Sequence, residues 1–393
     1  MNGSGVQSEQ RFFATCPRGL ELILNDELEA IGAAKISAVD GGVHFEGVFP
    51  VCYAVNLESR VASRVLWQVR HSAYRSELDI FEAVQTLPWP QWFSVERSIR
   101  VDVSAIRAPV KSLDFVTLRV KDAICDVFRD ACGRRPDVDT RAPDVRVHAF
   151  LSSTHLTVYL DTSGEALFKR GYRETTGEAP LRENLAAGIL KLARWDGAAP
   201  LLDPMCGSGT FLSEAALIAL DKAPGLGRTF GFEKLDVFDP RAWNALKSAA
   251  RARVRKPESL PIYGSDRYGD ALKLARANLT AVGVERLVTL KQADVLEMPP
   301  PAPSGIIVTN PPYGVRLQDR ESLAALYPKL GDALKKKYAG WTAYIFTADM
   351  RLPKLIGLSP SRRTPLYNGA LECRLFEFKL VAGSMRKKRD GPV

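Results

Sequence analysis

Gly305-Ile306-Ile307-Val308-Thr309-Asn310-Pro311-Pro312-Tyr313 is the stretch whose reading decides the fold. Its first five residues form a short apolar run, the pattern of a parallel strand buried on both faces. Such a strand delivers the residues after it to the edge where open α/β sheets place their ligands. Pro311 and Pro312 fix the backbone there and remove two N–H donors, so carbonyls and the Asn310 amide face the pocket. The Asn310 side-chain oxygen and the Pro311 carbonyl make two acceptors for an exocyclic amine on a planar ring, and Tyr313 gives that ring a stacking partner. A plain proline turn has no need of Tyr313.

Working outward, strand, glycine turn and helix repeat, which predicts a doubly wound parallel sheet. Its expected strands are Leu201–Asp203, Ile262–Ser265, Val288–Lys291, Ile306–Thr309, Ala343–Phe346 and Cys373–Leu380, with a helix over Leu181 to Trp195 ahead of them. Pro299 to Pro303 is a rigid lead into the decisive strand. The first strand-to-helix turn reads Asp203-Pro204-Met205-Cys206-Gly207-Ser208-Gly209-Thr210. Gly207 and Gly209 let the backbone bend sharply and approach a ligand. The N–H groups of the helix beyond can receive a carboxylate, such as the aminoacyl end of S-adenosylmethionine, whose ammonium Asp203 can hold. Asp266, after the second strand, is where a carboxylate accepts ribose hydroxyls; Asp294, after the third, is placed to accept from an adenine amine. A dinucleotide enzyme would carry a third glycine where this chain has Leu212. Methyl transfer from S-adenosylmethionine is therefore the favoured chemistry. The candidate catalytic residues are Asn310, Pro311, Pro312 and Tyr313. The candidate cofactor residues are Asp203, Pro204, Cys206, Gly207, Gly209, Thr210, Asp266, Asp294 and Asn310. Cys206 reads as a small packing residue: it lies in the cofactor turn, away from where a nucleophile would meet a base. Arg182, Glu183 and Asn184 fit two readings equally, a closure over the cofactor and a capped, solvated helix start.

The N-terminal part has a different texture. Phe12, Phe13 and Ala14 read as a strand, Leu20 to Ile31 as an amphipathic helix ending at Gly32, and Val43 to Phe45 as a strand after Gly41-Gly42, together a small α/β module. Farther on, Ile99, Val101 and Val103 alternate with polar residues. Val145 to Leu151 and Leu156 to Leu160 repeat the pattern and predict a hairpin. Val116, Val120, Ala123, Ile124, Val127 and Phe128 form a helical stripe ending at Gly133. Trp89, Trp92 and Phe93 are expected to pack under the sheet rather than to stack on bases. The basic, turn-rich stretch from Leu167 to Pro180 reads as a linker.

The chain has 393 residues, a net charge of +9 and a pI near 9.2, which favours a polyanionic partner. Lys247, Arg251, Arg253, Arg255 and Lys256, then Lys335 to Lys337, then Arg386 to Arg389 concentrate the basic residues. Six cysteines without paired short spacing and four histidines argue against a structural metal site and for a reduced cytoplasm. Met1 to Gln10 lacks the apolar core of a signal peptide, and no apolar run is long enough to span a bilayer, so no membrane partner is expected.

With Asp203-Pro204-Met205-Cys206-Gly207-Ser208-Gly209-Thr210 and Asn310-Pro311-Pro312-Tyr313 in one sheet, the chain resembles the class I amino-methyltransferases. Phe12-Phe13-Ala14-Thr15-Cys16-Pro17-Arg18-Gly19, Leu118-Arg119-Val120-Lys121-Asp122, Arg170-Gly171-Tyr172-Arg173, Ala179-Pro180-Leu181-Arg182-Glu183-Asn184 and Ala223-Pro224-Gly225-Leu226 extend the resemblance nearly end to end. The family is that of the THUMP-domain guanine-N2 methyltransferases, in particular the RlmL-like enzymes of large-subunit rRNA. The resemblance implies a ferredoxin-like element over 1–64, an RNA-gripping THUMP domain over 65–166, a linker over 167–180 and a Rossmann-like catalytic domain over 181–393. It implies S-adenosylmethionine as cofactor, 23S rRNA or a large-subunit precursor as partner, and N2 of a guanine as the atom methylated. Ending at Val393, the sequence carries one methyltransferase pattern, so the second activity of longer fused enzymes is not expected of it. Other amines compete: a tRNA guanine, adenine N6, or a protein glutamine. A non-catalytic RNA-binding assembly factor is the rival of another class.

Overall fold

The computed structural model describes residues 8–173, 181–311 and 317–381, with the backbone alone over 317–324. Pro312, Tyr313, residues 174–180 of the expected linker and the run from Arg386 to Arg389 lie outside the described residues. The chain divides into two compact units, each built on a seven-stranded sheet.

The first unit comprises Met1–Cys16, Glu21–Arg170 and Ala223–Ala252. It begins β1 (Gln10–Thr15), α1 (Glu21–Ile31), β2 (Ala34–Val39), β3 (Gly42–Gly47), α2 (Phe49–Glu58) and β4 (Arg64–Ala73). β1 lies antiparallel between β3 and β4. Phe12 and Phe45 stack on one face of these strands and meet Phe49 of α2, which also packs on Trp67. Next in the chain come α3 (Glu77–Gln85), β5 (Ile99–Ala105), α4 (Leu113–Cys132), β6 (Val145–Leu151) and β7 (His155–Asp161). β4 is ten residues long: it pairs with β1 on one side and with β7 on the other. A single sheet results, ordered β2-β3-β1-β4-β7-β6-β5. The expected hairpin is β6–β7, and α4 buries Val116, Val120, Ala123, Ile124 and Phe128 of the expected stripe, leaving Val127 half-buried, before ending at left-handed Gly133. Trp89 and Phe93 are fully buried, with Phe93 against Phe128, so this aromatic run is core as expected.

The second unit comprises Pro17–Leu20, Gly171–Lys222 and Arg253–Val393. It opens with α5 (Glu183–Leu192), β8 (Leu201–Asp203) and α6 (Thr210–Ala219); α7 (Pro240–Ala252) belongs to the first unit, its Trp243 packed on Tyr53, Phe230 and Phe232. β9 (Ile262–Asp266), α8 (Gly269–Val282), β10 (Thr289–Gln292), β11 (Gly305–Thr309), α9 (Leu317–Lys337), β12 (Trp341–Thr347), α10 (Leu352–Ile356), β13 (Arg362–Asn368) and β14 (Leu371–Lys379) complete it. The order is β10-β9-β8-β11-β12-β14-β13. The first five strands are parallel; β14 is antiparallel to both neighbours. An all-parallel sheet was expected, and β13 was not anticipated. The reason is local: β13 and β14 are joined by Gly369 (φ +66) and Ala370 alone, and so short a connection makes a hairpin. Strand order reverses between β8 and β11, which opens a crevice at their carboxyl ends.

Candidate active site

Three strands that meet at this crevice end in the residues singled out by sequence. β8 ends at Asp203, β9 at Asp266, and Asn310 follows β11 directly. In the pairing register Asp203 lies level with Gly264, and Leu202 with Ile307, so Asp266 and Asn310 flank Asp203 two residues farther out. Asp294 lies two residues past β10, the next strand beyond β9. Along the edge the order is therefore Asp294, Asp266, Asp203, Asn310.

Asp203 is 2% exposed. Burial pushes its pKa up to about 7, with Asp266 adding to the rise and the Met205 amide, 3.3 Å from Oδ1, opposing it. A carboxylate so placed is stabilised in its ionised form by a cation brought against it. Asp266 does structural work as well: Oδ2 accepts the Gly207 amide and Oδ1 the Tyr268 amide, each at 3.0 Å. A carboxylate has about four lone-pair sites, so these two bonds leave acceptor capacity for further donors. Asp294 Oδ1 accepts the Leu296 amide at 2.9 Å. Asn310 is half-buried and Pro311 buried.

The glycine turn explains itself atom by atom. Gly207 has φ +52 and Gly209 φ +76, both left-handed. A Cβ on Gly209 would sit 3.1 Å from the Cβ of Ala275 on α8, so that glycine serves helix packing. Among the described residues a Cβ on Gly207 would meet nothing within 4 Å. Gly207 thus borders an open cradle, the space a closely approaching ligand needs. The turn is braced from behind by the Cys206 amide on the Ser265 carbonyl (2.9 Å) and by Asn278 Nδ2 on the Ser208 carbonyl (2.9 Å). Cys206 is buried, and burial together with Asp203 and Asp266 pushes its thiol pKa up, so it is a protonated packing group.

Two contributors were not assigned from sequence. Asn278 is polar on the buried stripe of α8 beside Ala275, Leu279 and Val282, and that interruption of an apolar pattern is the signal that marks it. Arg173 carries no such signal. Its guanidinium reaches Thr210, the first residue of α6, with Nη2 2.6 Å from Oγ1, and Nη2 also donates to the Leu181 carbonyl at 3.1 Å. Its side chain is 8% exposed, Glu183 lies 3.5 Å away, and among the described residues Nε has no hydrogen-bond partner. Arg182 precedes α5 as its N-cap without a side-chain cap bond, while Glu183 and Asn184 are buried, which departs from a solvated helix start. Among the described residues no cluster of His, Cys, Asp and Glu could hold a metal, and no helix is long and apolar enough to cross a membrane.

Comparison with known proteins shows the family and the domains. Residues 170–377 match the family described as the RMKL-like methyltransferase domain; residues 74–161 match the THUMP domain and 11–66 the RlmL ferredoxin-like domain. The Aeromonas salmonicida protein named ribosomal RNA large subunit methyltransferase K/L is 38% identical over 97% of this chain and 56% of its own length. The chain thus spans about half the length of the curated relatives it matches. Among solved structures, SMU.472, in complex with SAH, superposes with a TM-score of 0.87 at 29% identity, covering 96% of this chain and 100% of that one. A Listeria monocytogenes protein described as a predicted N6-adenine-specific DNA methylase superposes with a TM-score of 0.86, also at 29% identity, covering 95% and 97%. On the match that takes in more than half of its residues, the chain belongs to the family of RMKL-like methyltransferases.

Proposed function

We propose that the protein transfers a methyl group from S-adenosylmethionine to the exocyclic N2 amine of a guanine in 23S rRNA. The observation that carries this reading is the order along the sheet edge: acceptors at Asp294 and Asp266, a cation-seeking carboxylate at Asp203, then Asn310. That order matches adenine, ribose, amino acid and target amine laid end to end. The open side of Gly207 fits a ligand backed against the turn. S-adenosylmethionine supplies the electrophilic methyl group. Asp203 holds the ammonium, for which its own burial makes it eager. The N-terminus of α6 takes the carboxylate, together with Arg173, which is held there by buried Glu183 and by Thr210. Pro204, Cys206, Gly209 and Thr210 shape the wall, and Asp266 and Asp294 accept from ribose and adenine.

At the other end Asn310 and the Pro311 carbonyl orient the hydrogens of the amine. A guanine amine is a poor nucleophile because its lone pair is delocalised into the ring. Acceptors that favour a more tetrahedral nitrogen, and that stabilise the positive charge developing on it, offset this. Proximity and in-line alignment supply the rest. Pro312 and Tyr313 complete the motif, with Tyr313 as the stacking ring, so the target base must leave its helix to reach it. The protonated product amine is strongly acidic and loses its proton to water. The large ribosomal subunit is favoured by the names of the K/L relatives, and guanine over other amines by the sequence resemblance to the THUMP-domain guanine-N2 methyltransferases.

The test is to incubate the protein with labelled S-adenosylmethionine and deproteinised large-subunit rRNA, with tRNA in parallel, then digest and identify the nucleoside. N2-methylguanosine from rRNA alone is expected. N6-methyladenosine would keep the mechanism and overturn guanine; label in tRNA alone would overturn the RNA class. Asn310→Ala should bind cofactor normally while turnover falls by orders of magnitude, and near-wild-type methylation by that variant would remove the central assignment.

A further inference from the structure

The chain has four histidines, His44, His71, His148 and His155, and all lie in the first unit on one face of its sheet. The pairing register puts them there: His44 opposite Phe13, His71 opposite Thr157, His148 opposite Tyr159, and His155 two residues before Thr157 on β7. The helices of this unit pack on the other face, over Phe12, Phe45, Trp67, Val147 and Leu160. The histidine face is furnished with ring pairs. Phe13 and His44 have centroids 4.5 Å apart, Phe13 and Tyr159 6.2 Å, and His71 and His155 stack at 4.9 Å with planes 6° apart. Between them is a cavity of about 430 Å³ lined by His44, Gln68, His71, Phe150, Thr157 and Tyr159. That volume falls in the range of small-ligand sites, about 300–1,000 Å³.

We propose that this face is an RNA site separate from the catalytic crevice, in which one unpaired nucleobase enters the cavity and a neighbouring base stacks on the His71–His155 pair. The inference rests on the RNA-methyltransferase reading above and adds where unpaired RNA is held. Rings that lie open on a sheet accept bases only when those are unpaired, because a duplex hides their π faces. Gln68 supplies an amide, donor and acceptor at once, for a base edge. Arg11 and Lys35 border the cavity, both paired with Glu46 at 3.2 and 2.5 Å. Both cations are exposed, so these pairs are weak and the phosphates flanking a bound base can draw on the same cations. Burial and the neighbouring His71 lower the pKa of His44; burial, His155 and Arg11 lower that of His71. Both shifts favour the neutral ring, which presents a π face rather than charge.

The experiment is fluorescence anisotropy with the full chain and a labelled single-stranded RNA of about 12 nucleotides, long enough for a single-strand site, against its duplex across a salt series. His71 and His155 are exposed, so the double variant His71→Ala/His155→Ala should fold, which an unchanged far-UV circular dichroism spectrum and unchanged urea unfolding of the full chain check. Single-strand affinity should fall at least about fivefold, the loss expected for a stacking platform, while duplex affinity and the salt slope stay put. Arg11→Ala should instead flatten the salt slope. Unchanged single-strand affinity in the double variant, or an equal loss for duplex, overturns this site while leaving the RNA reading in place. Failure of the wild-type chain to bind either RNA overturns both, and SAH binding then tells whether the cofactor half survives.

Discussion

Asp203→Asn separates what burial does to this carboxylate from what the ligand does to it. An unfolded chain ionises Asp203 near the usual 3.8, whereas the folded chain holds the proton up to about 7. Between those values the folded state binds the extra proton, so its stability is greatest below the lower pKa and declines as pH rises through the window, then levels off. Three pH units at about 1.4 kcal/mol each set the decline at about 4 kcal/mol. Asparagine keeps an oxygen for the Met205 amide and cannot ionise. Urea unfolding of both ligand-free proteins from pH 5 to pH 8 should therefore show the wild type losing ground to the variant as pH rises. SAH reverses the ranking. Its ammonium favours the ionised carboxylate, so wild-type affinity should climb with pH up to about 7, by at most tenfold per unit, while the variant binds weakly and without that climb. Parallel unfolding curves would refute the burial argument. A variant that binds SAH as tightly as the wild type at pH 8 would refute the ammonium assignment, whatever the unfolding curves show.

In the glycine turn, Gly209→Ala, left-handed and 3.1 Å from Ala275, should destabilise the fold by about 1–3 kcal/mol in urea, whereas Gly207→Ala should cost about 1 kcal/mol of backbone strain yet weaken SAH more than tenfold by calorimetry. The same ratio of stability loss to affinity loss in both variants would contradict the division of labour between the two glycines. Arg173→Gln should weaken SAH but leave 5′-methylthioadenosine, which lacks the amino-acid end, nearly unaffected; equal loss for both would make Arg173 a purely structural group. Iodoacetamide at pH 8 should modify exposed Cys132 and spare Cys206, and Cys206→Ala should keep turnover within severalfold. Abolished turnover would mean that the thiol has a chemical role after all.

The catalytic unit was legible because its strands are short, apolar and bounded by turn residues, so each ended where its motif began. Leu201–Asp203 is reproduced residue for residue, and the other parallel strands fall within two residues of expectation at either end. What escaped was whatever depends on partners distant in sequence. β13 carries Arg362, Arg363, Thr364 and Pro365, and its strand character comes from pairing with β14, not from an alternating apolar pattern. α7 carries part of the basic cluster from Lys247 to Lys256 and lies within the stretch expected to be the catalytic domain, yet it belongs to the other unit, where its Trp243 packs on Tyr53, Phe230 and Phe232. Within the site, the same division holds. Asp203, Asp266 and Asn310 are legible because a strand end is a position that sequence can name. Arg173 is not, because it meets Thr210 across 37 residues of chain, and no period links them. A motif reports the groups that a single strand delivers; the groups that hold those in place arrive from elsewhere, and only a structure shows which they are.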